Sequence, residues 1–264
     1  GRLVAAVGAA HRARGGQPPR APWPPPLPVD LRRESLPRAG NDQWCLIDEP
    51  DDQTQRFGGW LPDDGHLVVV GGPGAGSTTT LATAALAAGG EPGLHIHAID
   101  LDAGGLLPLA GLVSAGTIVG PSDAVRRVRL LRWIDEEVQR RRSHPSNPGP
   151  GLLLLIDDLG GLGRAHDPVR EPLVHERLGR IWADGPAVGV VIATSLRRAA
   201  DLAPSLAATT GAVMIHRSAD QSDALRFGLK VSTADFPPGR AVDSAGKTLQ
   251  VIRAAESIEA AVAE

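Results

Sequence analysis

The chain alternates short apolar runs with longer stretches that are rich in alanine and leucine or carry apolar residues at helical spacing. Compact apolar runs predict strands at 66–70, 94–99, 116–119, 152–156, 188–193 and 212–215. The stretches between them predict helices at 77–88, 123–142 and 168–182, with short helices near 199–206 and 221–227. Strands that alternate with helices are typical of a mostly parallel sheet covered on both faces. The sequence therefore predicts an α/β fold.

The two ends of the chain differ from this central pattern. Residues 3–14 predict a short helix. The proline-rich residues 15–28 predict an extended spacer, because proline fits neither a helix interior nor a central strand. A strand-like run at 43–48 precedes the main domain, and a hairpin of 240–242 with 249–252 is expected near its end.

Length and charge limit the possible classes of protein. A chain of 264 residues favours one large domain with an appendage, which we place at 41–264 and 1–40. The 27 basic and 30 acidic residues give a net charge of −3, so no global positive field attracts a phosphate backbone. The helix at 123–142 is rich in arginine, but acidic residues interrupt it, which indicates a solvated face. No nucleic-acid partner is expected.

The cysteine and hydropathy patterns favour a reducing, cytoplasmic setting. Cys45 is the single cysteine, so an internal disulfide is impossible and a small buried residue is expected. No apolar run approaches the roughly 20 residues of a membrane helix. The chain begins with glycine, and we expect it to be part of a longer protein.

A glycine-rich loop between the first strand and helix of the main domain is the best chemical signal. In a P-loop, backbone N–H groups surround phosphates, a lysine reaches the β- and γ-phosphates, and a serine or threonine holds Mg²⁺. Gly71-x-x-x-x-Gly76-Ser77-Thr78 matches this pattern except that Ser77 stands at the lysine position. The predicted nucleotide-binding residues are Gly71, Gly72, Pro73, Gly74, Ala75, Gly76, Ser77, Thr78, Thr79 and Thr194.

Paired acids after a buried strand strengthen this interpretation. P-loop enzymes use such acids to hold the Mg²⁺ shell and to place the attacking water. Asp157 is the predicted metal-side acid, together with the hydroxyl of Thr78, and Asp158 is the predicted catalytic residue. Thr194 and Ser195 follow a further strand, where a polar sensor of the γ-phosphate is often found.

Two other motifs have weaker interpretations. Gly72-x-Gly74-x-x-Ser77, with Asp100 at the end of the next strand, approximates a Rossmann dinucleotide-binding fingerprint. His95 and His97 have metal-like spacing, but no third ligand is apparent nearby, which favours ordinary core or surface histidines.

Several motifs, in their order along the chain, resemble the FtsK/SpoIIIE-type translocase ATPases and, within them, the EccC-type ATPases of type VII secretion. Besides the glycine loop and paired acids, they are Trp23–Pro28, Leu46–Gln53, Ile99–Leu106, Phe236–Arg240 and Leu249–Ile252. The resemblance implies a RecA/FtsK-like P-loop NTPase fold with an N-terminal linker segment. It also implies that the domain binds ATP and Mg²⁺.

The resemblance also implies partners and a location. The implied partners are neighbouring ATPase domains of a larger chain or ring, and the C-terminal peptide of a secreted helical-hairpin substrate. The domain would be cytoplasmic, tethered to a membrane through other parts of the full-length protein.

The departure at Ser77 leaves the activity open between three alternatives. The first is a degenerate ATP-binding domain, regulatory or substrate-docking, with weak or no hydrolysis. The second is an active ATP-hydrolysing translocase domain acting on protein or, less favoured, DNA. The third is a Rossmann-type dinucleotide-binding domain.

Overall fold

A computed structural model describes residues 2–17, 23–33, 43–147, 149–164 and 171–253, together with 260 and 262. The α-helices of these residues are α1 (Arg2–Ala13), α2 (Ser77–Ala88), α3 (Ala124–Ser143), α4 (Leu159–Arg164), α5 (Glu171–Asp184), α6 (Pro204–Ala207) and α7 (Ser222–Leu225). The strands are β1 (Cys45–Glu49), β2 (Thr54–Gly58), β3 (Leu67–Val70), β4 (Leu94–Asp100), β5 (Ala115–Val119), β6 (Gly151–Asp157), β7 (Val190–Leu196), β8 (Ala212–Ile215), β9 (Arg240–Asp243) and β10 (Thr248–Val251).

The ten strands found among the described residues form one sheet in the order β2-β1-β10-β9-β8-β3-β7-β6-β4-β5. The half from β8 to β5 is parallel, whereas β9, β10, β1 and β2 extend it as antiparallel neighbours. Because parallel strands share one direction, the loops after β3, β6 and β7 meet at the same carboxyl edge. The predicted α/β class is confirmed.

Apolar side chains cover both faces of the central strands. In β3, Val68 and Val70 join a cluster that includes residues of α3 and α5, while Leu67 and Val69 join a second cluster with α2. All four side chains are fully buried. This explains why the strand reads as a continuous apolar run rather than an alternating one.

The predicted elements agree with the structure best where the apolar runs are longest. The predicted helix at 123–142 is α3, and Asp123 caps it by accepting the Arg126 N–H at 2.9 Å. Two predictions were incomplete. The strand β2 was missed, since it is short and mostly polar and forms by pairing with β1. The strand β7 continues to Leu196, which places Thr194 and Ser195 inside the strand.

The predicted short helix near 199–206 is two separate pieces. A 3₁₀ turn covers Ala199–Asp201, and α6 begins at Pro204. Proline cannot donate a hydrogen bond to the preceding turn, so a helix starts there rather than continues. The first residues of the predicted helix at 168–182 lie outside the described residues, and α5 continues to Asp184.

The end of the proline-rich spacer and the residues just after it, 27–31, pack against the domain. Leu27 and Leu31 are buried, and the Arg240 guanidinium donates to the carbonyls of Leu27 and Pro28. The Arg253 N–H donates to the Leu31 carbonyl at 2.7 Å. The spacer is therefore attached to the sheet beside β9 and β10. Within the described residues, no helix has the length and hydropathy needed to span a membrane.

Candidate nucleotide site

The glycine loop joins β3 to α2 at the carboxyl edge of the parallel strands. Gly74 and Gly76 have φ angles of 68° and 105°, a region that favours glycine. A Cβ on Gly76 would lie 2.9 Å from the Gly239 nitrogen, so the close approach also requires glycine. The loop borders an open cavity of about 250 Å³. Its lining residues are Gly71, Gly72, Pro73, Gly74, Gly76, Ser77, Thr78, Thr79, Asp102, Asp157, Asp158, Ser195, Leu196 and Arg197.

Two of the predicted nucleotide-binding residues do not line this cavity. Ala75 is buried, and its N–H donates to the Gly72 carbonyl at 3.1 Å. Thr194 is fully buried, and its hydroxyl donates to the Ile156 carbonyl at 2.8 Å. Because side chains alternate along a strand, the next residue, Ser195, faces the cavity instead.

Thr78 and Asp157, the two predicted metal-side residues, lie together at the cavity. The Thr78 hydroxyl donates to one Asp157 carboxylate oxygen at 2.9 Å, and the Ser195 hydroxyl donates to the other at 2.5 Å. Burial raises the pKa of Asp157, and the hydrogen bonds from Ser195 and Thr78 oppose that rise. Hydroxyl and carboxylate oxygens suit Mg²⁺, which usually takes one or two protein ligands and completes its shell with phosphates and water.

Ser77 leaves the site without the charge that a lysine would supply. Its Oγ is buried and has no hydrogen-bond partner among the described residues. It lies above Gly71, where an added Cβ would be only 2.5 Å from that oxygen. An unpartnered buried hydroxyl beside the loop fits a cavity that holds a polar ligand.

Asp158, the predicted catalytic acid, is held by an arginine that the sequence reasoning missed. Arg197 Nε lies 3.3 Å from the Asp158 carboxylate, and Arg197 Nη2 lies 2.6 Å from Asp102. The Asp158 backbone has a φ of 58°, and its N–H donates to Ser195 Oγ at 2.8 Å. Arg197 is the first residue after β7 and lies two residues beyond Ser195, and this position was the only available sequence signal.

A second arginine approaches the glycine loop from the segment that follows β8. The Gly72 N–H donates to the Arg217 carbonyl at 2.9 Å, and the Arg217 guanidinium donates to the Gly74 carbonyl at 3.4 Å. Arg217 is in no ion pair with the residues that the structure describes. Within those residues, its charge is available at the edge of the loop.

Comparisons with known proteins agree with this geometry. No protein-family model matches the chain. The ESX secretion system protein EccC of Geobacillus thermodenitrificans is 26% identical over 249 residues, covering 84% of this chain but only 16% of that protein. The solved structure of EssC (ATPases 2 and 3) from Geobacillus thermodenitrificans has a TM-score of 0.76 at 22% identity, covering 91% of this chain and 51% of that one.

A further similar structure is Thermomonospora curvata EccC (ATPases 2 and 3) in complex with a signal sequence peptide. Its TM-score is 0.72 at 18% identity, covering 91% of this chain and 50% of that one. The resemblance to EccC-type ATPase domains is confirmed. The predicted P-loop NTPase fold is confirmed with it.

The strand order of this EccC-like fold argues against the dinucleotide-binding alternative. In a Rossmann fold the glycine-loop strand lies beside the strand that carries the ribose-binding acid. Here β3 lies between β8 and β7, and β6 also separates it from β4. The buried Asp100 carboxylate instead accepts the backbone N–H groups of Asp102, Gly104 and Leu106. The Rossmann interpretation was wrong.

The remaining candidates do not form a metal site or a broad basic patch. No group of three or more metal-binding side chains occurs among the described residues, so His95 and His97 have no metal partners there. On α3 the arginines mostly pair with acids, as Arg132 does with Glu136 at 3.6 Å. Two arginines, Arg127 and Arg141, are buried, which the solvated-face interpretation did not anticipate.

Proposed function

We propose that this chain is a degenerate ATP-binding domain of a type VII secretion ATPase, regulatory or substrate-docking, with weak or no hydrolysis. The observation that carries the proposal is a preserved phosphate cradle and Thr78–Asp157 pair combined with serine at the lysine position. The degeneracy at Ser77 is a property of this chain's own sequence. It does not depend on the activity of any relative.

Nucleotide binding is supported by the groups that remain. The first N–H groups of a helix have no intrahelical partner, and the dipole adds partial positive charge there. In α2 these residues are Ser77, Thr78 and Thr79, all of which line the cavity. One charge-assisted contact contributes about 1.5–3 kcal/mol, so the missing lysine weakens binding by roughly ten- to a hundredfold without abolishing it.

The missing lysine is expected to lower the rate of hydrolysis more than it lowers the affinity for nucleotide. Phosphoryl transfer depends on positioned charge, and removing one preorganised donor typically lowers the rate by ~10²–10³. In addition, Arg197 engages the Asp158 carboxylate that would otherwise place the attacking water. Both features reduce turnover while leaving the cradle intact.

An active translocase domain is the second candidate, favoured by the two arginines at the site. Arg197 lines the cavity and Arg217 touches the glycine loop. Either guanidinium would supply positive charge to a phosphate if it moved toward the ligand. Measured turnover distinguishes this candidate from the first.

The partners are proposed on the same basis. Thermomonospora curvata EccC was solved with a signal sequence peptide, and we extend this to the C-terminal peptide of a secreted helical-hairpin substrate. Neighbouring ATPase domains are the second proposed partner, because Leu3, Val4 and Val7 of α1 are exposed apolar residues within the proposed 1–40 segment. The cytoplasmic, membrane-tethered setting is part of this proposal.

Calorimetric titration with Mg-ATP tests the binding half of the proposal. The variant Ser77→Lys is expected to bind roughly ten- to a hundredfold more tightly than the native chain. Asp157→Ala is expected to weaken whatever affinity the native chain has, because it removes the metal-side acid. Asp51→Ala, an exposed position far from the loop in sequence, is the control. Native and Asp157→Ala chains that bind equally well would overturn the proposed site.

A further inference from the structure

A second cavity lies at the outer edge of the sheet, between β5 and α3. Its volume is about 380 Å³, and it shares no residue with the nucleotide cavity. Its lining residues are His97, Thr117, Arg126, Arg129, Leu130 and Trp133.

His97 presents an unused hydrogen-bond donor at this cavity. Its relative exposure is 6%, and the Thr117 N–H donates to its Nδ1 at 2.9 Å. Since Nδ1 is the acceptor, the proton of the neutral ring resides on Nε2. Nε2 is buried and has no partner among the described residues. Burial, with a smaller contribution from His95, lowers the pKa of His97 to about 4, so the ring is neutral at pH 7.

The local backbone is shaped around this ring. A Cβ on Gly116 would lie 2.3 Å from His97 Cε1, so the imidazole requires a glycine beneath it. The β4–β5 ladder shifts register between Ile96 and Ala98, at the same histidine. The ring of Trp133 lies 5.2 Å from the imidazole and forms an apolar wall. Irregular strand pairing of this kind often occurs beside functional sites.

The two arginines give the cavity a positive charge. Arg126, Arg129 and Trp133 follow helical spacing and lie on one exposed face of α3. Arg126 is 3.9 Å from Asp123, and Arg129 has no ion-pair partner among the described residues. Among the described residues that line the cavity, none is acidic. The Arg129 guanidinium is therefore without a carboxylate partner there, and the only anion near Arg126 is Asp123, at the long distance of 3.9 Å.

We propose that this cavity binds a carboxylate side chain of an acidic peptide that lies along β5. Arginine and a neutral histidine donor are well suited to a carboxylate, and Trp133 and Leu130 offer a wall for a neighbouring apolar residue. A peptide fits because β5 is the last strand of the sheet and its outer edge pairs with no described strand. The proposal does not rest on the nucleotide site.

The test is a titration of this chain, carrying ¹⁵N-labelled histidine, with acetyl-Val-Glu-Val-Glu-Val-amide and with the same peptide carrying glutamine for glutamate. The glutamate peptide is expected to shift the His97 resonances and to raise the pKa of His97, because it places a carboxylate beside the ring. The glutamine peptide is expected to bind at least tenfold more weakly, since a charge-assisted contact contributes about 1.5–3 kcal/mol.

Amino-acid substitutions show whether the glutamate peptide binds at this cavity. Arg129→Gln and Gly116→Ala are each expected to weaken glutamate-peptide binding about tenfold, the first by removing a charge and the second by displacing the ring. Arg132→Gln is the matched control, because Arg132 is an exposed arginine of the same helix outside the cavity and is paired with Glu136. A circular dichroism spectrum like that of the native chain shows that each variant folds.

Four results would overturn the proposal. The first two are equal binding of the glutamate and glutamine peptides and an unchanged affinity for the glutamate peptide in Arg129→Gln. The other two are sodium acetate that binds as tightly as the glutamate peptide, at equal carboxylate concentration, and a single-stranded oligonucleotide that binds more tightly than this peptide. Acetate equivalence would indicate a small-anion site, and oligonucleotide binding would indicate a nucleic-acid site.

Discussion

Arg197 balances the charge of the nucleotide cavity. It lies between Asp158, whose side chain is almost buried, and Asp102, which is half exposed. The paired acids were found from the sequence because they follow a long apolar strand. Arg197 was missed because it follows β7 whereas its two partners follow β4 and β6, and no sequence spacing reveals that these three strand ends meet.

Replacing Arg197 tests this charge balance. Arg197→Gln is expected to lower the free energy of unfolding by about 1–3 kcal/mol, because a buried carboxylate loses its cation. Asp102→Asn, which breaks the exposed half of the bridge, is expected to cost less than about 1 kcal/mol. Urea denaturation measures both changes. Equal losses in the two variants would contradict the assigned roles.

Replacing Arg217 tests whether a second cation helps the glycine loop to bind Mg-ATP. Its guanidinium donates to the Gly74 carbonyl and has no ion-pair partner in the part of the chain that the structure describes. Arg217→Gln is therefore expected to weaken Mg-ATP binding about tenfold in a calorimetric titration. Arg56→Gln, which removes an arginine paired with Glu49, is the control and should bind as the native chain does. An unchanged affinity in Arg217→Gln would leave the loop amides and helix dipole as the whole source of binding.

At the scale of elements, the sequence predicted helix and strand bounds well where local signals, such as a helix cap, determine them. The helix α3 was predicted within one residue at each end, since Asp123 precedes it and arginines fill its last turn. The strand β2 was missed because its position depends on pairing with β1, a tertiary contact. The same limit applies to Thr194: the strand end was set too early, and the cavity-facing residue is Ser195.

The cap of α3 gives an element-scale prediction. Asp123→Ala removes the acceptor of the Arg126 N–H and is expected to lower the free energy of unfolding by about 1 kcal/mol. Asp123→Asn keeps a capping oxygen and should lose only a few tenths of that. Thermal and urea unfolding measure the difference. A loss as large in the asparagine variant would indicate that charge, rather than the cap, stabilises the helix.

At the scale of the whole molecule, the sheet order could not be derived from the sequence. The alternation of strands and helices predicts a parallel sheet, but it does not say which strand lies beside β3. That order decided between the two nucleotide-binding alternatives, because β7 and β6 separate the glycine loop from β4. The outer-edge cavity was equally hidden, since it depends on the packing of α3 against β4 and β5.

Buried histidines make the stability of the molecule depend on pH. His97 and His216 have pKa values lowered to about 4, chiefly by burial. In His216, Nδ1 donates to the Arg240 carbonyl, and Nε2 lies 2.9 Å from the Thr80 hydroxyl, so both ring nitrogens are buried in neutral hydrogen bonds with no described carboxylate to stabilise a charged ring. Because the folded pKa lies below the unfolded value of 6.5, the stabilisation is complete above pH 6.5 and is lost as the pH falls toward 4.

The free energy of unfolding should therefore fall by up to roughly 3 kcal/mol per histidine over that range. Urea denaturation at several pH values measures it. His216→Gln should flatten the slope, and His11→Gln, at an exposed position, should leave it unchanged. A slope equal in the native chain and His216→Gln would contradict this origin.

Steady-state turnover of Mg-ATP, measured side by side for the native chain, Ser77→Lys and Asp157→Ala, tests the central claim most directly. The account predicts that the native rate is indistinguishable from that of Asp157→Ala. Ser77→Lys is expected to exceed the native rate, but by less than the ~10²–10³ that one preorganised donor typically supplies, because Arg197 still engages Asp158. A native chain that turns over Mg-ATP as fast as Ser77→Lys, and far faster than Asp157→Ala, would contradict the account and identify a working motor domain.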